Sequence, residues 1–323
     1  METLKANLLS PIALAFALGI VTKLIKSEFS LPKDLYTGLS VFLLFSLGLK
    51  GGVELGHSTF DSIASPMVVT LLLGCVTPLT SYFVLRKLGK LSISDAAGMA
   101  AHYGSVSAVT YIAAITFVKS QGAEPEGFMP TLLTLLESPG IHIALAIGAI
   151  KTAQPGQSLK TVLHEVLTAR TMILLVGGLL VGLAMGEKNW GTIDGFFDTK
   201  GPVFKGALTL FLLEMGIVAG SRFGDLKTVG PFLLGFGVVM PVVHGALGVW
   251  LGSLAGLSLG GAAVLGTMAA SASYIAAPPA VRVTLPEANP TLSLTSALAI
   301  TFPFNILFGI PLYFRISQAL HGS

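Results

Sequence analysis

The chain has 323 residues, of which 53% are hydrophobic and only 11% charged, with a formal net charge of +3. A soluble globular chain carries roughly 25% charged residues, so this composition excludes an ordinary soluble domain. Charge this small and dispersed also excludes nucleic-acid binding and a polybasic membrane switch.

The apolar residues form blocks matching the roughly 20 residues that a helix needs to cross the hydrocarbon. Alternating segments of about ten residues, which would mark a membrane β-barrel, do not occur. Ten spans are predicted, at residues 7–25, 36–55, 63–86, 94–119, 129–150, 161–186, 202–220, 229–256, 259–283 and 291–316. The first follows only Lys5 and precedes no small-residue cleavage site, so it reads as a retained helix. Cys75, the single cysteine, falls in the third span and reads as packing, with no intrachain disulfide.

The fourth span is interrupted over residues 101–111 and the ninth over 269–279. Pro278 and Pro279 each remove a backbone donor and collide with the preceding turn, which breaks the helix around Ser271 to Ala277. Gly104 permits a similar break in the fourth span. The fifth span carries Glu137, followed by Ser138 and Pro139, and the seventh carries Glu214; an intramembrane carboxylate is costly unless paired, protonated or bound to an ion. His102, His142 and His244 have no spacing that suits a metal and read as hydrogen-bonded interior residues, with His102 a possible pH sensor beside the break. In the tenth span Thr301 and Asn305 flank Pro303, either as a kinked packing helix or as a cavity wall.

Lys and Arg collect on cytoplasmic loops. The loops after odd-numbered spans hold twelve of them and the opposite side seven, including Lys5, Lys50, Lys119, Lys188 and Lys200. Both termini are therefore expected outside the cytoplasm. A shift of 168 residues sets Gly48 on Gly216, Gly52 on Gly220, Gly98 on Gly266 and Ser105 on Ser273. Five helices per half, an odd number, would make the halves inverted repeats, divided as residues 1–152 and 160–323.

A broken membrane helix presents amide N–H groups and the positive end of a half-helix dipole, which bind a small anion without a basic side chain. Freed carbonyls and hydroxyls suit Na⁺, and an anion beside a cation offsets the desolvation of both. Substrate is accordingly assigned to Gly104, Ser105, Ser107, Ser271, Ala272 and Ser273, and the cation to Tyr103, Thr110, Glu137, Tyr274 and Thr301. No phosphate-binding loop, nucleophile elbow or catalytic constellation is present, which argues against ATP coupling and against an enzyme. A small-anion secondary transporter, a channel and a non-transporting membrane scaffold stay open at this point.

Ser258-Leu259-Gly260-Gly261, Ala269-Ala270-Ser271, Pro278-Pro279 with Arg282, and Pro286 with Asn289-Pro290 form a rarer combination. Gly104 with Ser107 and Thr110, and Pro241 with His244-Gly245, add to it. On these residues the chain resembles, over nearly its whole length, the cyanobacterial sodium-dependent bicarbonate transporters and their bacterial relatives. The resemblance implies an all-α protomer of ten helices in 5+5 inverted repeats, with two broken helices crossing. It also implies a core domain from helices 3–5 and 8–10 and a scaffold domain from helices 1–2 and 6–7 that forms a homotrimer. Bicarbonate would enter the cell with Na⁺ by an elevator-like displacement of the core in the plasma membrane. A PII-like regulatory protein would dock on the cytoplasmic face. Three departures stand out: Tyr274 in place of an acidic residue, Ala272 and Ala276 in place of serines, and a short connection between Lys151 and Lys160.

Overall fold

The computed structural model describes residues 8–152, 164, 168 and 170–322. Lys5, Lys160, the connection after Thr152 and most of the first turns of the sixth predicted span lie outside the described residues. The chain is 81% helical with no strand among the described residues, and seven stretches are long and apolar enough to cross a membrane. Two shorter apolar helices, Pro11–Leu24 and Leu259–Ala269, accompany them.

In chain order the helices are α1 (Pro11–Leu24), α2 (Lys33–His57), α3 (Phe60–Lys87), α4 (Ile93–Tyr103), α5 (Ala108–Ser120), α6 (Met129–Glu137), α7 (Pro139–Thr152), α8 (Arg170–Trp190), α9 (Asp194–Phe197), α10 (Pro202–Ser221), α11 (Leu226–Leu254), α12 (Leu259–Ala269), α13 (Ala277–Thr284) and α14 (Pro290–His321). Large apolar side chains such as Leu14, Leu18, Leu180 and Val239 point outward, as a lipid-facing surface requires.

Two parallel pairings dominate one side: α2 lies along α8, with Gly48 beside Gly178 and Gly52 beside Leu183, and α1 lies along α10, with Gly19 beside Gly216 and Ile20 beside Gly220. Glycine makes both possible. A Cβ on Gly48 would sit 2.8 Å from Gly178 Cα, and one on Gly216 would sit 3.0 Å from Gly19 Cα, so the paired backbones touch directly. Without a hydrophobic drive between helices in lipid, such close backbone approach supplies the packing energy. Gly48 and Gly216, which the 168-residue shift superimposes, therefore do the same packing work in the two pairs.

The other helices enclose the interrupted spans. Helix α4 packs between α3 and α7, α12 between α11 and the end of α14, and each second half reaches across, α5 onto α12 and α13 onto α4. The apolar window of Ile93–Ser120 is 94% buried, against 33% for α8, so the first broken span is wrapped by protein instead of lipid.

Serines punctuate the broken spans. Ser92 caps α4 by accepting from Asp95 N, and Ser258 caps α12 by accepting from Gly261 N. After the breaks, Ser107 Oγ accepts from Thr110 N at 3.2 Å, and Ser273 Oγ accepts from Ala276 N and Ala277 N at 3.3 and 3.4 Å. Ser92 and Ser258, which cap α4 and α12, stand 166 residues apart, and so do Ser107 and Ser273.

Two irregularities have no counterpart among the predicted features. The fifth span is divided at Ser138, where Pro139 opens α7. Helix α14 contains π-helical turns at Ser296–Thr301 and Asn305–Gly309, on either side of the segment holding Pro303. Wider turns of this kind are frequent at functional sites.

Candidate transport site

The two interruptions meet. Ser107 N donates to Ser271 Oγ at 2.9 Å, and Ser273 N donates to the His102 carbonyl at 2.8 Å. His102 Nδ1 lies 2.7 Å from the Ser273 carbonyl, so one residue of the first break engages both backbone groups of a residue in the second. Ser271 Oγ also donates to Met268 O, and Ser107 Oγ lies 3.3 Å from the Tyr274 hydroxyl. Backbone groups freed by breaking a helix in apolar surroundings need partners, and here each break supplies the other's.

Gly104 is the hinge of the first break. Its backbone touches Gly140 at the start of α7, where a Cβ on Gly140 would strike the Gly104 carbonyl, and a Cβ on Gly104 itself would strike Pro78 of α3. Beside that contact Ser105 Oγ donates to the Glu137 carbonyl at 2.8 Å. Asn305, on the second π-helical turn, donates to the Ala270 carbonyl at 2.9 Å and accepts from Tyr313, closing the open end of α12. On the first π-helical turn Thr301 donates to the Gly237 carbonyl and lies 2.7 Å from the Tyr103 hydroxyl. Asn305 thus seals the break and Thr301 ties α14 to α11, both of them packing roles.

A small cavity of about 10 Å³, roughly the space of one water, lies where the breaks approach α6 and α8; Ser107, Glu137, Thr171, Ser273 and Tyr274 line it. Glu137 is 3% exposed and its Oε2 has no hydrogen-bond partner among the described residues. Larger cavities open at the two ends of α2. One, of about 490 Å³, is bordered by Tyr36, Ser40, Arg170, Thr171, Ala276 and Pro279, and shares Thr171 and Ala276 with the small cavity. The other, of about 450 Å³, is bordered by Leu47, Lys50, Glu54, Tyr111, Lys119 and Lys200.

A model of the Na⁺-dependent bicarbonate transporter superfamily matches residues 11–318. The chain belongs to that superfamily. A search of curated proteins gives no match. Membership in a transporter superfamily, together with the apolar helices, makes this a multi-pass membrane protein of the transporter class.

In this transporter the residues assigned to substrate, Gly104, Ser105, Ser107, Ser271, Ala272 and Ser273, all fall in the two facing breaks and all are buried. The residues assigned to the cation divide. Glu137 and Tyr274 line the small cavity, and Thr110 contributes its amide to the Ser107 cap. Tyr103 and Thr301 bond to each other instead, with Tyr103 edge-on to Phe236 at 4.9 Å.

Glu214 is taken up structurally: its Oε2 accepts from Leu31 N at 2.9 Å and anchors the segment between α1 and α2. His102, His142 and His244 each find a hydrogen-bond partner, and no group of three metal-type side chains occurs among the described residues. Thr171 escaped the sequence reading, since a lone threonine at the start of an apolar span carries no local signal.

Proposed function

We propose that the protein imports bicarbonate together with Na⁺ by elevator-like alternating access. The observation that carries this reading is the mutual hydrogen bonding of the two breaks through Ser107, Ser271, Ser273 and His102. It sets the start of α13 beside the start of α5; α5 offers first-turn amides without intrahelical acceptors, and α13, whose Pro278 and Pro279 carry no N–H, adds chiefly the positive end of its dipole, so both half-helix ends serve one small anion. Glu137 supplies the negative charge for Na⁺ nearby, with Tyr274 and the hydroxyls around it as neutral oxygens. A bulky substrate does not suit breaks as closely packed as these, where Ala108 and Ala276 line a cavity of only about 10 Å³.

The finer architecture follows the same reading. Ten spans in two inverted halves, residues 1–152 and 160–323, are supported by helix starts at Lys33, Phe60, Ile93 and Ala108 against Pro202, Leu226, Leu259 and Ala277, an offset of about 166 to 169 residues. The pairings of α2 with α8 and of α1 with α10 support a scaffold domain, and the enclosure of both breaks by α3, α7, α11 and α14 supports a core domain. With both termini outside the cytoplasm of the plasma membrane, the cavity beside Arg170 faces inward and the one beside Lys119 faces outward. A homotrimer built on the scaffold and a PII-like protein docking on the inner face complete the proposal, which rests there on family resemblance alone.

The test is uptake of labelled bicarbonate by proteoliposomes with and without an inward Na⁺ gradient, with excess acetate as a competing carboxylate. Uptake stimulated several-fold by Na⁺ and insensitive to acetate is expected. Uptake that ignores the gradient would remove Na⁺ coupling, and current rising linearly with voltage would replace the carrier by a channel.

A further inference from the structure

Two buried oxygens meet at the small cavity without completing a hydrogen bond. Thr171 is 4% exposed and Glu137 3%, and neither Thr171 Oγ1 nor Glu137 Oε2 has a hydrogen-bond partner among the described residues. Both line the cavity that also touches Ser107, Ser273 and Tyr274. Buried oxygens left this way cost free energy unless something else engages them. The lining is rich in oxygens and carries one formal negative charge, which suits a small hard cation and not an anion.

The two residues come from different parts of the fold. Glu137 ends α6, whose chain neighbour Ser138 leads into α7 against α4 and the first break. Thr171 opens α8, whose main partner is α2. We propose that Thr171 is a cation ligand supplied by the scaffold, completing with Glu137 a Na⁺ pocket that exists in only one position of the core. The inference rests on the proposed elevator reading and adds the residue that makes cation binding depend on position. A hydroxyl oxygen reaches Na⁺ at about 2.3–2.6 Å, the range of hard-cation oxygen ligands, so a slide of a few ångströms between α8 and α6 withdraws it. Na⁺ taken up here stays with Glu137 when the core moves, and loss of the Thr171 oxygen in the other position weakens its hold and favours release.

The experiment uses the purified full chain in detergent, with melting temperature followed against NaCl at constant ionic strength in choline chloride, and labelled bicarbonate uptake measured in parallel. Thr171→Val keeps the shape and removes the oxygen; Thr171→Ser keeps the oxygen. A Na⁺-dependent rise in melting temperature is expected for the wild type. Its half-saturating Na⁺ concentration should move up about tenfold in T171V, about 1.4 kcal/mol, return within about twofold of wild type in T171S, and vanish in E137Q.

Equal Na⁺ dependence in T171V and wild type would overturn the proposal, as would a wild type whose melting ignores Na⁺ while bicarbonate uptake still responds to it. A Thr171-dependent Na⁺ shift without bicarbonate uptake would uphold the pocket and sink the substrate reading instead. If T171V fails to fold, T171S against Thr171→Ala at matched melting temperature in choline gives the same comparison.

Discussion

Alanine at position 140 puts the joint between the first break and α7 under direct strain. A Cβ there would strike the Gly104 carbonyl and lie 2.7 Å from Gly104 Cα, where ordinary contact begins at 3.4 Å. Backbone on both sides leaves no flexible side chain to yield, so the segments must part by at least about 0.7 Å. The Ser105 to Glu137 hydrogen bond, now 2.8 Å, would stretch to about 3.5 Å, beyond useful length. Overpacking costs about 1–3 kcal/mol and the lost hydrogen bond about 1 kcal/mol, together about 2–4 kcal/mol. At about 2 °C per kcal/mol for a chain of this size, Gly140→Ala should melt about 4–8 °C below wild type. Uptake should collapse with it. Gly206→Ala, whose Cβ meets nothing within 4 Å on the helical α10, is the control and should be neutral or slightly stabilising. A Gly140→Ala protein that melts within 1 °C of wild type and transports normally would show that this contact does not hold the break.

Tyr274→Phe removes the hydroxyl 3.3 Å from Ser107 Oγ but leaves the ring against Phe302, so stability should change by less than about 1 kcal/mol while the Na⁺ or bicarbonate concentration for half-maximal uptake rises several-fold. Asn305→Leu strands the Ala270 carbonyl and the Tyr313 hydroxyl in the protein interior, and thermal melts should show a loss of about 1–3 kcal/mol. Ser107→Ala removes the α5 cap, worth about 1 kcal/mol, and should weaken bicarbonate half-saturation in uptake assays; Ser107→Thr should retain most of both. Cysteines replacing Ser40 on α2 and Ala276 before α13, which border one cavity, should join under a short bismaleimide in a Cys75→Ser background and block uptake. Full uptake after complete joining would exclude relative movement of these segments.

The breaks were legible because proline and glycine act locally. Pro278 and Pro279 cannot continue a helix, and the structure places both in the first turn of α13, just after the interruption they impose. Gly104 was legible as a hinge, but its packing against Gly140 was not, because only folding brings those residues together. The 168-residue shift rested on glycines and alanines, which match at several offsets, whereas Ser92 with Ser258 and Ser107 with Ser273 share a spacing of 166. The π-helical turns of α14 left no trace in hydropathy, since their role depends on Ala270 and Tyr103 across the molecule. Thr171 was invisible for the same reason. Its importance lies wholly in what α6 presents to it.

The wall between the two large cavities is thin. On α2 Ser40 borders one and Leu47 the other, seven residues apart, or about 10 Å along the helix. Across from α2 the same division recurs: Tyr111 of α5 faces the second cavity, while Ala276 and Pro279 at the start of α13 face the first. The breaks join those segments, so the candidate site sits where the wall is. A displacement of the core by about two helical turns along α2 would carry the site from one cavity to the other without opening a continuous pore. The glycine contacts of α2 with α8 and of α1 with α10 would resist any such slide within each pair, because their backbones interlock. Movement between these pairs and the enclosed breaks meets no equivalent backbone lock at Thr171 and Glu137, only two oxygens without hydrogen-bond partners. A cation seated between those oxygens would keep Glu137 and lose Thr171 as the core moves, so its affinity would follow the position of the core.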